Sequence, residues 1–178
     1  QRILEKMHGG GRFDGAGAQI NDESVMSVLE NLKSRIDEYL DALIAELREK
    51  VKIIKALGLK ISTVYIGGGT PTTLSALDLE TIMKTVNENF DLSKLREYTV
   101  EAGRPDTITR EKLETIKKFG ATRISINPQT MNDSVLKVIG RNHTALQTVE
   151  AFNLARECGF DNINTDLIAG LPTDTFES

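Results

Sequence analysis

The spacing of apolar and polar positions changes period several times along the chain. Ile36, Tyr39, Leu40, Leu43, Ile44, Leu47, Val51, Ile54 and Leu57 recur at the three-to-four spacing of one helical face, and Gly58 follows as a stop. "STVYIG" then reads as a strand. Leu79, Ile82, Met83, Val86 and Phe90 mark one face of a second helix, with Ser75 as its candidate cap. "REYTVEA" predicts the next strand, and "REKLETIKKFG" a helix that opens after Thr109 and stops at Gly120. "ATRISIN" predicts a third strand. Two short helices follow, "NDSVLKVIG" and "TALQTVEAFNLAREC", the latter opening with Thr144 and Gln147 at capping-box spacing. "DNINTDLI" predicts a fourth strand, and "GLPTDTFES" a loop leading into another helix. Ahead of Ile36 the pattern is different: "HGGGRFDGAGAQIND" is glycine-rich and has no period. Residues 1–35 are therefore expected to be a flexible or atypical segment, and 36–178 the folded core.

Alternating strands and helices predict an α/β fold, a parallel sheet with right-handed crossovers. Four strands are too few to close an eight-stranded barrel. No strand signal precedes the first long helix, so the pattern reads as an incomplete parallel (β/α) barrel, a middle section of something larger.

Composition narrows the classes. The 178 residues are 39% hydrophobic and 27% charged, as in soluble globular proteins, with a net charge of −4. No basic stripe with interleaved aromatics is present, so nucleic acid is not an expected partner. No apolar run reaches the roughly 20 residues of a membrane span, and the first residues lack a signal-peptide core. Cys158 is the only cysteine, which excludes an internal disulfide and any cysteine cluster built from this chain alone. On the apolar side of its helix it reads as a small buried hydrophobe. A cytoplasmic location is expected.

In parallel α/β folds ligands sit at the carboxyl ends of strands. The first strand delivers Gly67, Gly68, Gly69, Thr70 and Pro71 there; the second delivers Glu101 and "AGRP". The third delivers Asn127, Pro128 and Gln129, and the fourth Asn162, Asn164, Asp166 and "AGLP". Each has an ordinary structural reading. A glycine triplet makes a tight turn. Glu101 can pair with Arg104 or Arg123, and Arg141 after Gly140 complements a helix dipole. Asn162, Asn164 and Asp166 alternate, so they share one strand face, where burial without partners is costly. Taken together, the four ends point to a small polar ligand. "GGGTP" lacks the lysine and spacing of a Walker loop and is not G-x-G-x-x-G. Bare glycine backbone suits a ligand that brings its own amine, and Glu101 and Asp166, at neighbouring strand ends, suit ribose hydroxyls. Arg141 suits a carboxylate. An amino acid joined to a nucleoside satisfies all three.

From Val64 to Pro172 the chain resembles the radical S-adenosylmethionine (SAM) enzymes, in particular the oxygen-independent coproporphyrinogen III oxidase group and its HemZ-like coproporphyrinogen dehydrogenase branch. The resemblance is carried by "VYIGGGTPTTLS", "TVEAGRPDTIT", "RISINPQTMND", "IGRNHT" and "INTDLIAGLP". It implies a barrel of the radical SAM type. It also implies that Gly67, Gly68, Gly69 and Thr70 receive the methionine amino group, that Glu101 contacts the cofactor, and that Gln129 lies near a second cofactor molecule. Arg141 is implied to bind the methionine carboxylate, Asp166 the ribose, and Ile168 to line the adenine and ribose. In such enzymes a [4Fe–4S] cluster passes an electron to the sulfonium, and the 5′-deoxyadenosyl radical abstracts hydrogen from the substrate. For this group the result is oxidative decarboxylation of two porphyrinogen propionates to vinyl groups, a step toward haem.

One departure is severe. The family holds its cluster with C-x-x-x-C-x-x-C ahead of the helix that "DEYLDALIAEL" resembles, and no cysteine precedes Ile36. His8 and Asp14 cannot replace three thiolates. The chain as written is expected to be inactive. Two alternatives stand beside a partial enzyme: a non-catalytic SAM-binding or assembly module, pairing as a half-barrel homodimer through open sheet edges, and an unrelated open α/β nucleotide-binding protein.

Overall fold

The computed structural model describes residues 22–175, with side chains from Met26 onward. Helix α1 spans Asp22–Ala56. It begins well before Ile36, because Met26, Leu29 and Leu32 extend the same three-to-four spacing toward the N-terminus. Residues 1–21, the remainder of the segment expected to be flexible, lie outside the described residues.

Two compact units divide at Tyr39 and Leu40. The described part of the first is the N-terminal half of α1, where Met26, Leu29, Ile36 and Tyr39 are exposed. The second unit, Leu40–Ser178, holds the sheet. Its elements follow the chain as β1 (Thr63–Ile66), α2 (Ala76–Asn89), β2 (Glu97–Glu101), α3 (Arg110–Lys118), β3 (Arg123–Ser125), α4 (Asp133–Val138), α5 (Ala145–Glu157) and β4 (Asn162–Asn164). The strands form one sheet in the order β1-β2-β3-β4, every pair parallel. This is the α/β architecture expected from the alternation.

Helix starts are written locally. Ser75 accepts from the Asp78 amide while Asp78 bonds back to the Ser75 amide, and Thr144 and Gln147 do the same at α5. Thr109 caps α3 and Asn132 caps α4.

Because side chains alternate across a strand, the sheet has two chemically different faces. Val64, Ile66, Tyr98, Val100, Ala102, Ile124, Ile126 and Ile163 point to one side and pack against Leu79 and Met83 of α2, Leu113 and Ile116 of α3 and Ala151 and Ala155 of α5. The opposite face carries Tyr65, Glu97, Thr99, Glu101, Arg123, Ser125, Asn162 and Asn164. The helices thus seal the apolar side and leave the polar side to the functional groups.

The first two strands leave through loops of one design. Gly69-Thr70-Pro71-Thr72-Thr73-Leu74-Ser75 and Gly103-Arg104-Pro105-Asp106-Thr107-Ile108-Thr109 each run into a short 3-10 turn with proline at its start, then an extended residue, then the cap of the next helix. The two loops are laced together. Thr72 and Thr107 share a hydroxyl hydrogen bond of 2.6 Å, and Lys112 Nζ donates to the carbonyls of Thr72 (2.6 Å) and Thr107 (3.1 Å). Burial pushes the Lys112 ammonium below the ordinary lysine range.

Leu113 is fully buried at the centre of the core, whereas Leu77 on α2 is 72% exposed. Leu113→Ala is expected to lower unfolding free energy by about 2–5 kcal/mol. Leu77→Ala is expected to change it by less than about 0.5 kcal/mol, and urea denaturation followed by circular dichroism measures both.

Candidate cofactor-binding site

The carboxyl ends of the four strands meet on the polar face. In register, Glu101 stands beside Ser125, and Ser125 beside Asn164. One residue pair further along lie Asn127 and Asp166. Asn127, only 4% exposed, joins this group. Its Oδ1 accepts from Ser125 Oγ at 2.8 Å and from the Asp166 amide at 3.3 Å, and its Nδ2 reaches Glu101 Oε1 at 3.5 Å. Asn164 Nδ2 donates to Ser125 Oγ at 3.3 Å and to Asp166 Oδ1 at 2.8 Å. The three polar side chains expected on one face of the last strand therefore include a bonded pair. Glu101 and Asp166 are not on neighbouring strands, as the sequence reading had it. β3 lies between them, and Asn127 bridges the gap.

Neither arginine offered as a partner for Glu101 takes that role. Arg104 pairs with Asp106 at 3.1 Å and Arg123 with Glu97 at 3.3 Å. Arg123 stands in the row of Thr99, one pleat below Glu101. The Glu101 carboxylate is instead met by Asn127 and by Tyr65, a residue the sequence reading passed over. The Tyr65 phenol is pushed above its ordinary range by partial burial, then by the charges of Glu101 and Asp166. Period-two alternation from Tyr65 to Gly67 was the signal that placed it on this face.

The glycine triplet divides into three cases. A Cβ on Gly67 would come within 2.9 Å of Glu101 Oε2, and Gly68 has φ +112°, which only glycine adopts without strain. Gly69 has neither constraint: a Cβ there meets nothing within 4 Å. The amides and carbonyls of Gly67, Gly68 and Gly69 make no hydrogen bond among the described residues. Thr70 differs, because its carbonyl already accepts from the Thr73 amide (2.9 Å) and hydroxyl (2.7 Å). A run of bare, unpaired backbone thus opens beside Glu101.

Gln129 and Ile168 complete the mouth. The Gln129 amide donates to the Asp166 carbonyl at 3.1 Å, and the Ile168 amide to the Gln129 carbonyl at 2.8 Å. Ile168 leaves its side chain 45% exposed. Arg141 is not drawn into this network. Its amide donates to the Leu136 carbonyl at the end of α4, and its half-buried guanidinium makes no ion pair among the described residues.

Two other features fall outside the site. A cleft of about 320 Å³ lies at the opposite, strand-start end, lined by Val51, Ile54, Leu59, Lys60, Phe90 and Asp91 among others. Its polar side chains are Lys55, Asn89 and a Lys60–Asp91 pair at 2.7 Å, and the cross-strand polar network is at the other end. Cys158 caps α5, half-buried against the core, its thiol pushed up by burial, as expected of a packing residue. Among the described residues no three His, Cys, Asp or Glu side chains are grouped to hold a metal ion. No described helix is long and apolar enough to cross a membrane.

The family model of the radical SAM superfamily matches residues 20–178. The chain is 43% identical to the oxygen-independent coproporphyrinogen-III oxidase-like protein HemZ of Bacillus subtilis over 145 residues, 81% of this chain and 29% of that protein. It is 39% identical to the heme chaperone HemW of Lactococcus lactis, over 80% of this chain and 36% of the relative. The structure of coproporphyrinogen III oxidase (HemN) from Escherichia coli superposes with a TM-score of 0.71 at 33% identity, covering 81% of this chain and 32% of that one. The chain spans about a third of the length of these relatives.

Asn127→Leu keeps the volume near that of asparagine but strands the Ser125 hydroxyl and the Asp166 amide. It is expected to cost about 1–3 kcal/mol of stability. A double-mutant cycle with Ser125→Ala, which removes the hydroxyl that donates to Asn127 Oδ1, read by urea denaturation, is expected to show coupling of at least about 0.5 kcal/mol; additivity would place the two side chains in separate environments.

Proposed function

This chain belongs to the radical SAM superfamily, and on that premise we propose that its second unit is the SAM-binding portion of an oxidoreductase of the oxygen-independent coproporphyrinogen III oxidase type, whose reaction is oxidative decarboxylation of porphyrinogen propionates. The observation that carries the reading is the unpaired backbone of Gly67–Gly69 next to Glu101 and Asp166, which Asn127 joins by donating to the Glu101 carboxylate and accepting from the Asp166 amide. When bound, SAM supplies a cleavable sulfonium for radical chemistry.

The residues of this chain do the holding. The carbonyls of Gly67, Gly68 and Gly69 take the methionine ammonium, with Thr70 shaping the turn behind them. Glu101 adds negative charge beside that amine, held in place by Asn127 and Tyr65. Asp166 accepts from the ribose hydroxyls, and Ile168 offers apolar surface to the adenine. Arg141, without an ion pair among the described residues, is the cation for the methionine carboxylate. Gln129 faces the position of a second cofactor molecule.

The [4Fe–4S] cluster that the family uses does not fit these residues. Cys158 is the single cysteine of the sequence, at the far end of α5, and supplies no ligand set. Those missing thiolates favour a second reading, a chain that binds the cofactor without turnover, with the open edges of β1 and β4 available to a second copy. The identity to a heme chaperone favours haem handling as the rival substrate class.

Isothermal titration with SAM tests the site. Asp166→Ala is expected to weaken binding by about 1–3 kcal/mol, the range for hydrogen bonds to a charged group. Gly69→Ala is expected to weaken it by about tenfold or more while leaving the urea midpoint in place, since the added methyl meets only the ligand. Wild-type affinity in both variants, with the fold intact, would sink the reading. Anaerobic reconstitution with iron and sulfide is expected to leave this chain without the absorbance of a [4Fe–4S] cluster.

A further inference from the structure

His143 sits in the loop between α4 and α5, 2% exposed. Its Nε2 lies 3.2 Å from the carbonyl oxygen of Pro128. A carbonyl only accepts, so Nε2 carries the proton and donates. Nδ1 is then a bare acceptor, and it has no partner among the described residues. A buried ring nitrogen left unpaired is unfavourable, so the geometry of the Nε2 contact asks for a reason.

The reason lies one residue on. Gln129 has φ +71°, a left-handed backbone that crowds a Cβ against the carbonyl. Pro128 has no N–H, so the ladder between β3 and β4 breaks there. Pairing resumes only because Gln129 turns: its amide reaches the Asp166 carbonyl, its carbonyl receives the Ile168 amide, and Gln129 bridges to Leu167. A strained residue of this kind persists where its surroundings over-determine it. The peptide entering Gln129 is fixed by one side chain, His143.

We infer that His143 is a positioning residue: by holding the Pro128 carbonyl it keeps Gln129 in the left-handed geometry that resumes the β3–β4 pairing and sets Gln129, Asp166 and Ile168 at the mouth of the site. The consequence for ligand binding rests on the cofactor reading above; the structural consequence does not.

Amide hydrogen exchange on the full chain tests this, with His143→Leu, which has no donor, and His143→Gln, which places an amide N–H near the lost Nε2–H. His143→Leu is expected to speed exchange at the Gln129 and Ile168 amides by about tenfold, with Val100 and Ile124 at wild-type rates. His143→Gln is expected to return both within about threefold of wild type. Affinity for S-adenosylhomocysteine is expected to fall in the leucine variant and recover in the glutamine one. If His143→Leu does not fold, adding Gln129→Gly removes the left-handed penalty and is expected to restore folding; failure to restore it overturns the inference. Equal acceleration in both His143 variants, or acceleration spread evenly over the sheet, overturns it too. A wild-type chain that ignores S-adenosylhomocysteine overturns the cofactor reading, while the exchange rates still decide the role of His143.

Discussion

Strand alternation forces a choice on this sheet. Successive side chains point to opposite faces, and a polar group buried without a partner is costly. Three helices cover one face with Leu79, Met83, Leu113, Ile116, Ala151 and Ala155, so the residues meeting them must be apolar. Apart from the Tyr98 hydroxyl, buried on the apolar side without a partner among the described residues, the strand side chains that donate, accept or carry charge are displaced to the other face. There Glu97, Arg123, Ser125, Asn127 and Asn164 satisfy one another across strands. The site is what remains of that face at its upper rim, where the last row has carboxylates and bare backbone in excess of internal partners.

What was legible in the sequence was local. The Thr144–Gln147 capping box, the Ser75 cap and the apolar stripe of α2 depend on residues a few positions apart, and each appears where the spacing placed it. The strand ends were legible for the same reason, since "GGGTP" and Asp166 follow directly on their strands. What escaped was set by tertiary neighbours. The choice of Arg104 or Arg123 for Glu101 failed because Asp106 lies two residues from one and Glu97 reaches the other diagonally from the adjacent strand. Asn127 was noted at a strand end, but its link from the Glu101 carboxylate to the Asp166 amide depends on β3 running between β2 and β4. The start of α1 lies earlier than Ile36 because the apolar stripe already begins at Met26, within the stretch that the glycine-rich run ahead of it made look aperiodic.

The proposed cofactor site and a cluster call on different residues of this chain. Glu101, Asn127, Asn164 and Asp166, from the ends of β2, β3 and β4, hold one another in place without a ligand, beside the Gly67–Gly69 backbone that is unpaired among the described residues. The groups that would ligate iron are a different set of residues, on a different loop in the resembling enzymes, and this sequence has none of them. The proposed recognition of the cofactor therefore rests on residues that need no cluster ligand to stay in place.

The twin loops after β1 and β2 have a consequence of another kind. Their shape is written in the proline, the threonines and the helix cap, while the residues proposed to face the cofactor, the glycines of one and Glu101 ahead of the other, lie upstream of that shared frame. Lys112 then clamps the two frames by their main-chain carbonyls, indifferent to side-chain identity. Such a scaffold lets mutation explore new specificities at the rim while the hinge beneath stays constant, much as interchangeable bits fit one chuck.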